Sequence, residues 1–450
     1  MNLKSIINVF FIGIGGIGMS ALAKYFISNN INVYGYDRES SFITKDLKTK
    51  GAKIYHDYLN IDFVQLQKDL EETLIIYTPA FKKNHPLILN FVSKGFDIFK
   101  RSEIIEKISK NSKCIAIAGS HGKTTTSAIL AHIFCEAKYS FLAFVGGIME
   151  NYQSNYIFNG DEYIIVEADE FDKSFLKLKP AFACITSIDN DHLDTYNNLR
   201  NLTKAFKEFE NNIESDGFLI SFEDVKINSL KYGIKEHSNF KAANIKYNNK
   251  SSIFDLHLND RKIENVEIGL PGLHNIMNTV AAISIALEVG IAENIILRAL
   301  TTFKGVNRRF SYRIDEDSLV LIDDYAHHPK EINNIYLTLK SIYPKDELLV
   351  IFQPHLFTRT RDLLNDFAAQ LSKFDAVILL EIYAAREESI LGINSNLLLS
   401  KISLQNKFLC DKSDISSLIK SIGFKVNVIL GAGDISNEVE QIKKDLHYAI

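Results

Sequence analysis

Apolar residues along the chain occur either in short continuous runs or in longer stretches where they recur at helical spacing. Continuous runs read as strands buried on both faces, and spaced ones as helices packed by one side. Runs at residues 8–14, 32–36, 73–78 and 97–100 predict strands, with a helix over 19–28 behind the first. A run at 114–118 predicts a further strand, and helical spacing resumes at Lys123. The same reading predicts strands at 163–166, 182–188, 319–322, 348–352, 376–380 and 426–430. Strands separated by helices imply parallel sheets with crossover helices, an α/β fold. Residues 215–269 break the pattern, being polar, rich in asparagine and alternating in short runs, which predicts a small antiparallel sheet.

At 450 residues the chain exceeds one ordinary core and suggests about three domains of roughly 150 residues. A polar, lysine-rich segment at 107–113 and a hinge-like segment at 302–310 set the boundaries, giving domains 1–108, 109–305 and 306–450. The expected architecture is a Rossmann-like first domain, a central α/β domain like the P-loop ATPases with the small antiparallel sheet, and a Rossmann-like third domain.

Composition changes this picture little. Hydrophobic content of 46% and a net charge of −4 give no electrostatic reason to expect nucleic acid or an anionic membrane as partner. The four cysteines form no CxxC pair, which argues against a zinc site or a disulfide framework and for a reducing cytoplasm. Lys4 and the apolar stretch after it superficially resemble a signal peptide, but Gly13, Gly15, Gly16 and Gly18 interrupt it. No membrane span is expected.

The chemistry sits where strands end. The first strand runs into Gly13-Ile14-Gly15-Gly16-Ile17-Gly18, a GxGxxG turn whose glycines allow a tight bend and close approach of the backbone to a diphosphate. Asp37, ending the second strand, sits where an acid often meets a ribose hydroxyl; Thr78 ends a later one, and Arg101 reads either as a diphosphate ligand or as a surface arginine. Alone, this fingerprint would fit a nicotinamide-dependent dehydrogenase. The strand at 114–118 leads into Gly119-Ser120-His121-Gly122-Lys123-Thr124-Thr125 and then a helix, which is the context of a phosphate loop. Lys123 supplies charge for the terminal phosphates and Thr124 a hydroxyl suited to Mg²⁺, although Ile117 stands where the full pattern has glycine. A dehydrogenase has no use for Lys123 and Thr124. Acids follow at two further strand ends, Glu167-Ala168-Asp169-Glu170-Phe171-Asp172 and Asp189-Asn190-Asp191-His192. Packed acids repel unless cations neutralise them, so these ends suit Mg²⁺-assisted phosphoryl transfer; a solvated acidic loop is the plain alternative.

Downstream, His274 and Asn275 near a helix start could read a base or sugar edge, or Asn275 could simply cap the helix. Arg308 and Arg309 are adjacent, so in an extended segment they would point opposite ways. Polar clusters then end the third-domain strands, among them Asp323-Asp324-Tyr325-Ala326-His327-His328-Pro329 and Gln353-Pro354-His355. In a helix starting near Leu356, Arg359 and Arg361 cannot share a face, so at most one of them can be a direct ligand.

In order, GIGGIGMS, GSHGKTTT, EADEFD, DNDHLDTY, GLHN, RRF, DDYAHHP, FQPHLFTRTRD and LGAGD resemble the motifs of the Mur ligases, which form amide bonds in peptidoglycan precursors. The resemblance spans nearly the whole chain and is nearest to the branch that joins L-alanine to UDP-N-acetylmuramate. It implies a cytoplasmic ATP-dependent ligase with Mg²⁺, acting through an acyl phosphate, as a monomer or weak homodimer. By resemblance Lys123, Glu167, His192 and Arg308 are catalytic, and Thr124, Glu167 and His192 hold metal. ATP falls to residues 119–125, His274, Asn275, Arg308 and Asp323; the UDP substrate to Gly13, Gly15, Gly16, Gly18, Asp37, Thr78 and Arg101; and the amino acid to Tyr325, His327, His355 and Arg359. Some relatives bridge metals with a carbamylated lysine; Lys207 lies at that spacing but is not expected to serve here. Leu356 stands where the alanine branch often has arginine. A tripeptide-adding ligase of the same family and an ATP-gated scaffold are the alternatives.

Overall fold

A computed structural model describes residues 3–171, 173–189, 193–196, 198–248, 250–385 and 387–447. It contains three sheets, each carrying a block of the strands expected from the apolar runs. The first has five parallel strands in the order Lys53–Tyr55, Asn32–Tyr36, Asn8–Ile12, Thr73–Tyr77 and Ile98–Lys100. The order reverses between Asn8–Ile12 and Thr73–Tyr77, the point at which an open α/β sheet parts its loops to receive a ligand.

The second sheet has ten strands. Its middle is Phe182–Ile185, Lys113–Ala118, Tyr163–Ala168 and Phe141–Met149, all paired parallel, and Ser154–Phe158 closes one edge as an antiparallel hairpin with Phe141–Met149. Lys113–Ala118 pairs along its whole length with Tyr163–Ala168 and from Ile115 onward with Phe182–Ile185, and it is buried from Cys114 onward, which explains its unbroken apolar sequence.

Residues 215–269 continue this mixed sheet through Phe218–Phe222, Leu230–Gly233, Phe240–Tyr247, Ser252–His257 and Lys262–Ile268. Phe218–Phe222 pairs parallel with Phe182–Ile185, Leu230–Gly233 parallel with Phe218–Phe222, and Phe240–Tyr247 parallel with Leu230–Gly233. The first of these pairings follows from the helix Leu199–Asn211, whose buried Leu202, Ala205, Phe206 and Phe209 make it a crossover from Phe182–Ile185 that returns the chain in the same direction. Alternation in short half-exposed strands reports one wet face, and does not distinguish pairing direction.

The third sheet has six strands, in the order Ser311–Asp315, Val320–Asp324, Val426–Leu430, Leu348–Phe352, Ala376–Leu379 and Lys407–Leu409. Only its first pair is antiparallel. The chain divides into two compact units: residues 1–243, 255–266 and 277–304, and residues 244–254, 267–276 and 305–450. The first unit holds the first sheet and most of the second around a continuous core that runs from Ile6 to Ile227; the third sheet belongs to the second unit. Among the described residues no helix is long and apolar enough to cross a membrane.

Candidate active site

In the first unit the glycine turn lies at the carboxyl end of Asn8–Ile12, with Gly16 capping the helix Ile17–Ser28. Gly13 has φ +87°, and its amide donates to the Tyr36 carbonyl at 2.8 Å, so the strand bends sharply at a residue without a side chain. The space a Cβ would need is already taken around the turn. On Gly13 it would meet Phe81 at 2.8 Å and Thr78 at 3.0 Å; on Gly15, the Asp37 carboxylate at 2.8 Å; and on Gly18, the Arg101 guanidinium. The structure thus brings Thr78, Asp37 and Arg101 together at the turn. Asp37 accepts the Gly15 amide at 2.8 Å, and so braces the turn.

The phosphate loop caps Lys113–Ala118, and Lys123–Glu136 is the helix behind it. Gly119 (φ +124°) and Gly122 (φ +84°) both hold left-handed backbone. Side chains and backbone of the neighbouring strand end clasp the loop: the Ser120 amide donates to the Ser187 carbonyl and the His121 amide to Ser187 Oγ, both at 3.0 Å, while Thr186 donates to the His121 carbonyl at 2.5 Å. His121 Nε2 lies 3.4 Å from the Asp189 carboxylate. Thr125 is buried in the first turn of the helix.

Lys123 Nζ donates to the Gly119 carbonyl at 2.6 Å and to Glu170 Oε2 at 2.8 Å. Burial works to lower its pKa, but Glu170, Asp169 and Glu167 outweigh that effect and hold the ammonium above its ordinary value. Glu167 accepts from Thr124 at 3.2 Å, from Ser127 at 3.1 Å and from the Gly146 amide. Burial pushes its carboxyl up, against the opposing pull of the Gly146 amide and Lys123. The strands ending in Glu167 and in Asp189 flank the phosphate-loop strand on opposite sides, so the two acidic ends are separated by the loop they serve. His192 and Asp172 lie outside the described residues. Among the described residues no three His, Cys, Asp or Glu side chains group as a metal site.

In the second unit, burial pushes the His274 pKa down to about 4, with Arg309 adding and Glu331 opposing, so the ring is neutral near pH 7. The Asn275 amide side chain donates to the Pro271 carbonyl at 2.7 Å, stitching the Pro-Gly turn to the helix Leu273–Val289. Asp323, 1% exposed, sits between Arg308 at 3.3 Å and Arg313 at 2.9 Å, and Arg308 also donates to the Gly431 carbonyl at 2.5 Å.

The expectation that Arg308 and Arg309 diverge is corrected by their backbone. Arg308 has φ +60°, which breaks the extended alternation, and both guanidinium groups lie over the Tyr325 ring, 5.3 and 5.2 Å from its centroid. From Tyr325 a line of rings continues to His327 at 5.2 Å and on to His355 at 6.0 Å, and Arg359 Nη1 lies 3.3 Å from His355 Nδ1. All four residues expected to meet the amino acid are therefore contiguous. Arg361 pairs with Asp362 at the surface, as the helix Phe357–Asp362 requires of a residue two places from Arg359.

Some participants stood in the sequence only within a polar run at a strand end, Glu381-Ile382-Tyr383-Ala384-Ala385-Arg386-Glu387, with no role attached to them singly. Tyr383 stacks on His355 at 5.8 Å, and Glu387 accepts the Thr358 amide at 3.0 Å, anchoring the start of the Arg359 helix. Glu170 was legible only as one acid in a run, without its partner Lys123.

Three family models match in succession: the Mur ligase family catalytic domain at residues 8–113, the Mur ligase middle domain at 117–286, and the Mur ligase glutamate ligase domain at 308–433. The UDP-N-acetylmuramate–L-alanine ligase of Christiangramia forsetii is 47% identical over 446 residues, 99% of each chain. The chain belongs to the Mur ligase family. Among solved structures, the UDP-N-acetylmuramate-alanine ligase of Thermotoga maritima matches with a TM-score of 0.84 at 27% identity, covering 98% of this chain and 100% of that one. A murein peptide ligase from Psychrobacter arcticus matches with a TM-score of 0.72, covering 98% of both chains, but at 22% identity it shows the fold alone. As a Mur ligase the chain uses ATP.

If Lys123 faces the terminal phosphates of ATP, Lys123→Ala should lower turnover by roughly 10²-fold or more, about 3 kcal/mol, through loss of charge neutralisation in the transition state. Steady-state phosphate release from the folded variant checks this, and turnover equal to wild type would remove Lys123 from the site.

Proposed function

We propose that this ligase joins L-alanine to UDP-N-acetylmuramate in peptidoglycan precursor synthesis, with ATP activating the lactyl carboxylate. A carboxylate resists attack by an amine, since its charge repels the nucleophile and oxide is a poor leaving group. Transfer of the γ-phosphoryl group of ATP to a carboxylate oxygen removes both obstacles and releases ADP. The alanine nitrogen then attacks the acyl phosphate, the tetrahedral intermediate expels inorganic phosphate, and the amine loses a proton.

The single observation that carries the reading is Lys123, a buried ammonium rooted in a glycine loop and shared with Glu170. An incoming triphosphate offers the same negative charge as Glu170, and the loop amides and Lys123 neutralise it as two anions are brought together. Gly119, Ser120, His121, Gly122, Thr124 and Thr125 are assigned to the phosphates, and the neutral His274 with Asn275 to the base. Arg308, oriented by Asp323, is assigned to the transferring phosphoryl group.

The Thr124 hydroxyl and the Glu167 carboxylate, 3.2 Å apart, are oxygen donors of the kind Mg²⁺ takes. With His192 they would hold it, and bound Mg²⁺ supplies charge neutralisation for the phosphates. The glycine turn with Asp37, Thr78 and Arg101 is assigned to UDP, a reading supported by its place at the point where the first sheet reverses order. Tyr325, His327, His355 and Arg359 are assigned to the amino acid. We assign the enzyme to the cytoplasm as a monomer or weak homodimer acting on small molecules, with neither nucleic acid nor membrane as partner.

The acyl phosphate can be trapped. With ATP and UDP-N-acetylmuramate but no alanine, added hydroxylamine should yield the hydroxamate of the sugar nucleotide, detectable by mass; absence of hydroxamate from an enzyme active with alanine would exclude the intermediate. Arg359→Ala should raise the KM for L-alanine by roughly tenfold or more, the loss of one charge-assisted bond to a carboxylate. The KM for ATP should stay within about twofold. Equal rises in both would reassign Arg359 to the nucleotide.

A further inference from the structure

The hairpin formed by Phe141–Met149 and Ser154–Phe158 was not foreseen from the apolar runs, and the reaction as derived above makes no use of it. It nevertheless touches both phosphate-binding elements of the first unit. At one end, Asn155 is fully buried and its carboxamide is completely committed: Oδ1 accepts from Lys24 Nζ at 3.1 Å, and Nδ2 donates to the Ile17 carbonyl at 2.6 Å and to Ser20 Oγ at 3.0 Å. Ile17 opens the helix whose N-terminus is the glycine turn. Lys24, on the same helix and 6% exposed, also pairs with Asp46 at 3.1 Å. On the other strand, within the irregular stretch between Phe144 and Met149, the Gly146 amide donates to Glu167, which in turn accepts the Thr124 hydroxyl of the phosphate loop.

Apolar contacts also join the hairpin to that helix, Tyr25 lying 6.0 Å from Phe144 and 6.3 Å from Tyr156 between ring centroids. Ring packing tolerates sliding. A buried amide with every donor and acceptor directed does not, because any shift leaves a polar group unpaired in the interior. The network therefore fixes a register as well as a contact.

We propose that this hairpin sets the separation between the glycine turn and the phosphate loop, and that Asn155 is its positioning residue. The inference rests on the functional reading above, in which one substrate must reach from the turn to the γ-phosphate. UDP alone tests the turn and a non-hydrolysable ATP analogue tests the loop, whereas turnover needs the two correctly spaced. A misplacement of about 1 Å can cost up to roughly 10²-fold in rate while leaving each binding site whole.

Asn155→Ala removes all three bonds, and Asn155→Asp keeps an acceptor for Lys24 while losing both donors. Lys24→Met, which deletes the cation held by the carboxamide oxygen, is read in the same way should either Asn155 variant fail to fold. In folded variants kcat should fall by more than about fivefold, with dissociation constants for UDP and for the ATP analogue within about twofold of wild type by calorimetry. A smaller fall in kcat overturns the inference, and so does a loss of UDP or nucleotide binding that parallels it. Wild type assayed alongside separates the two levels. If it fails to ligate alanine, the functional reading itself fails; if it ligates and the variants match it, only the role of Asn155 is lost.

Discussion

An ammonium held mostly out of water has to keep company with negative charge, and in this chain that requirement organises the phosphate-loop end of the first unit. Lys123 is fixed by the Gly119 carbonyl and by Glu170, with Asp169 and Glu167 close enough to raise its pKa against the effect of burial. A lone charge in such a place would cost several kcal/mol, whereas one shared between protein carboxylates and phosphate oxygens is stable in either partnership. The strand Lys113–Ala118, the left-handed glycines and the flanking acidic strand ends together fix the position of that one group, where the proposed reaction develops phosphate charge.

The second unit carries the cluster proposed above to receive the amino acid. Tyr325, His327, His355 and Arg359 form one line, and it is anchored from beneath by groups that do not reach its surface. Asp323 orients Arg308 and Arg313; Glu387 holds the start of the Arg359 helix; Asp324, whose carboxyl is pushed up to about 6 mainly by burial, accepts the Phe310 and Ala326 amides at 2.6 and 2.7 Å. Leu356, at the position where relatives of the alanine branch often carry arginine, has φ +71°, so it turns the chain into that helix without supplying charge.

What could be read in the sequence was whatever is encoded locally. The glycine turn and the phosphate loop were legible because a strand ending in glycines before a helix has few other uses, and the glycines at 13, 119 and 122 do hold positive φ. Tyr325, His327, His355 and Arg359 could be named from motifs, and the fold supplied their adjacency. What was not legible shares one cause, dependence on distant partners. The parallel pairing of Phe218–Phe222 with Phe182–Ile185 depends on the crossover helix Leu199–Asn211. The convergence of Arg308 and Arg309 is decided by a single backbone angle and by Tyr325, and the pairing of Lys123 with Glu170 joins residues 47 positions apart.

Family membership and the site's charge arrangement converge on one reaction, an ATP-driven amide bond between L-alanine and UDP-N-acetylmuramate. The most direct measurement is inorganic phosphate released from ATP, followed together with the sugar-nucleotide product by mass, with each substrate omitted in turn. The account predicts steady release only when UDP-N-acetylmuramate and L-alanine are both present, one phosphate for each alanine joined. Steady release that is indifferent to alanine, or a product lacking the added residue, would contradict it.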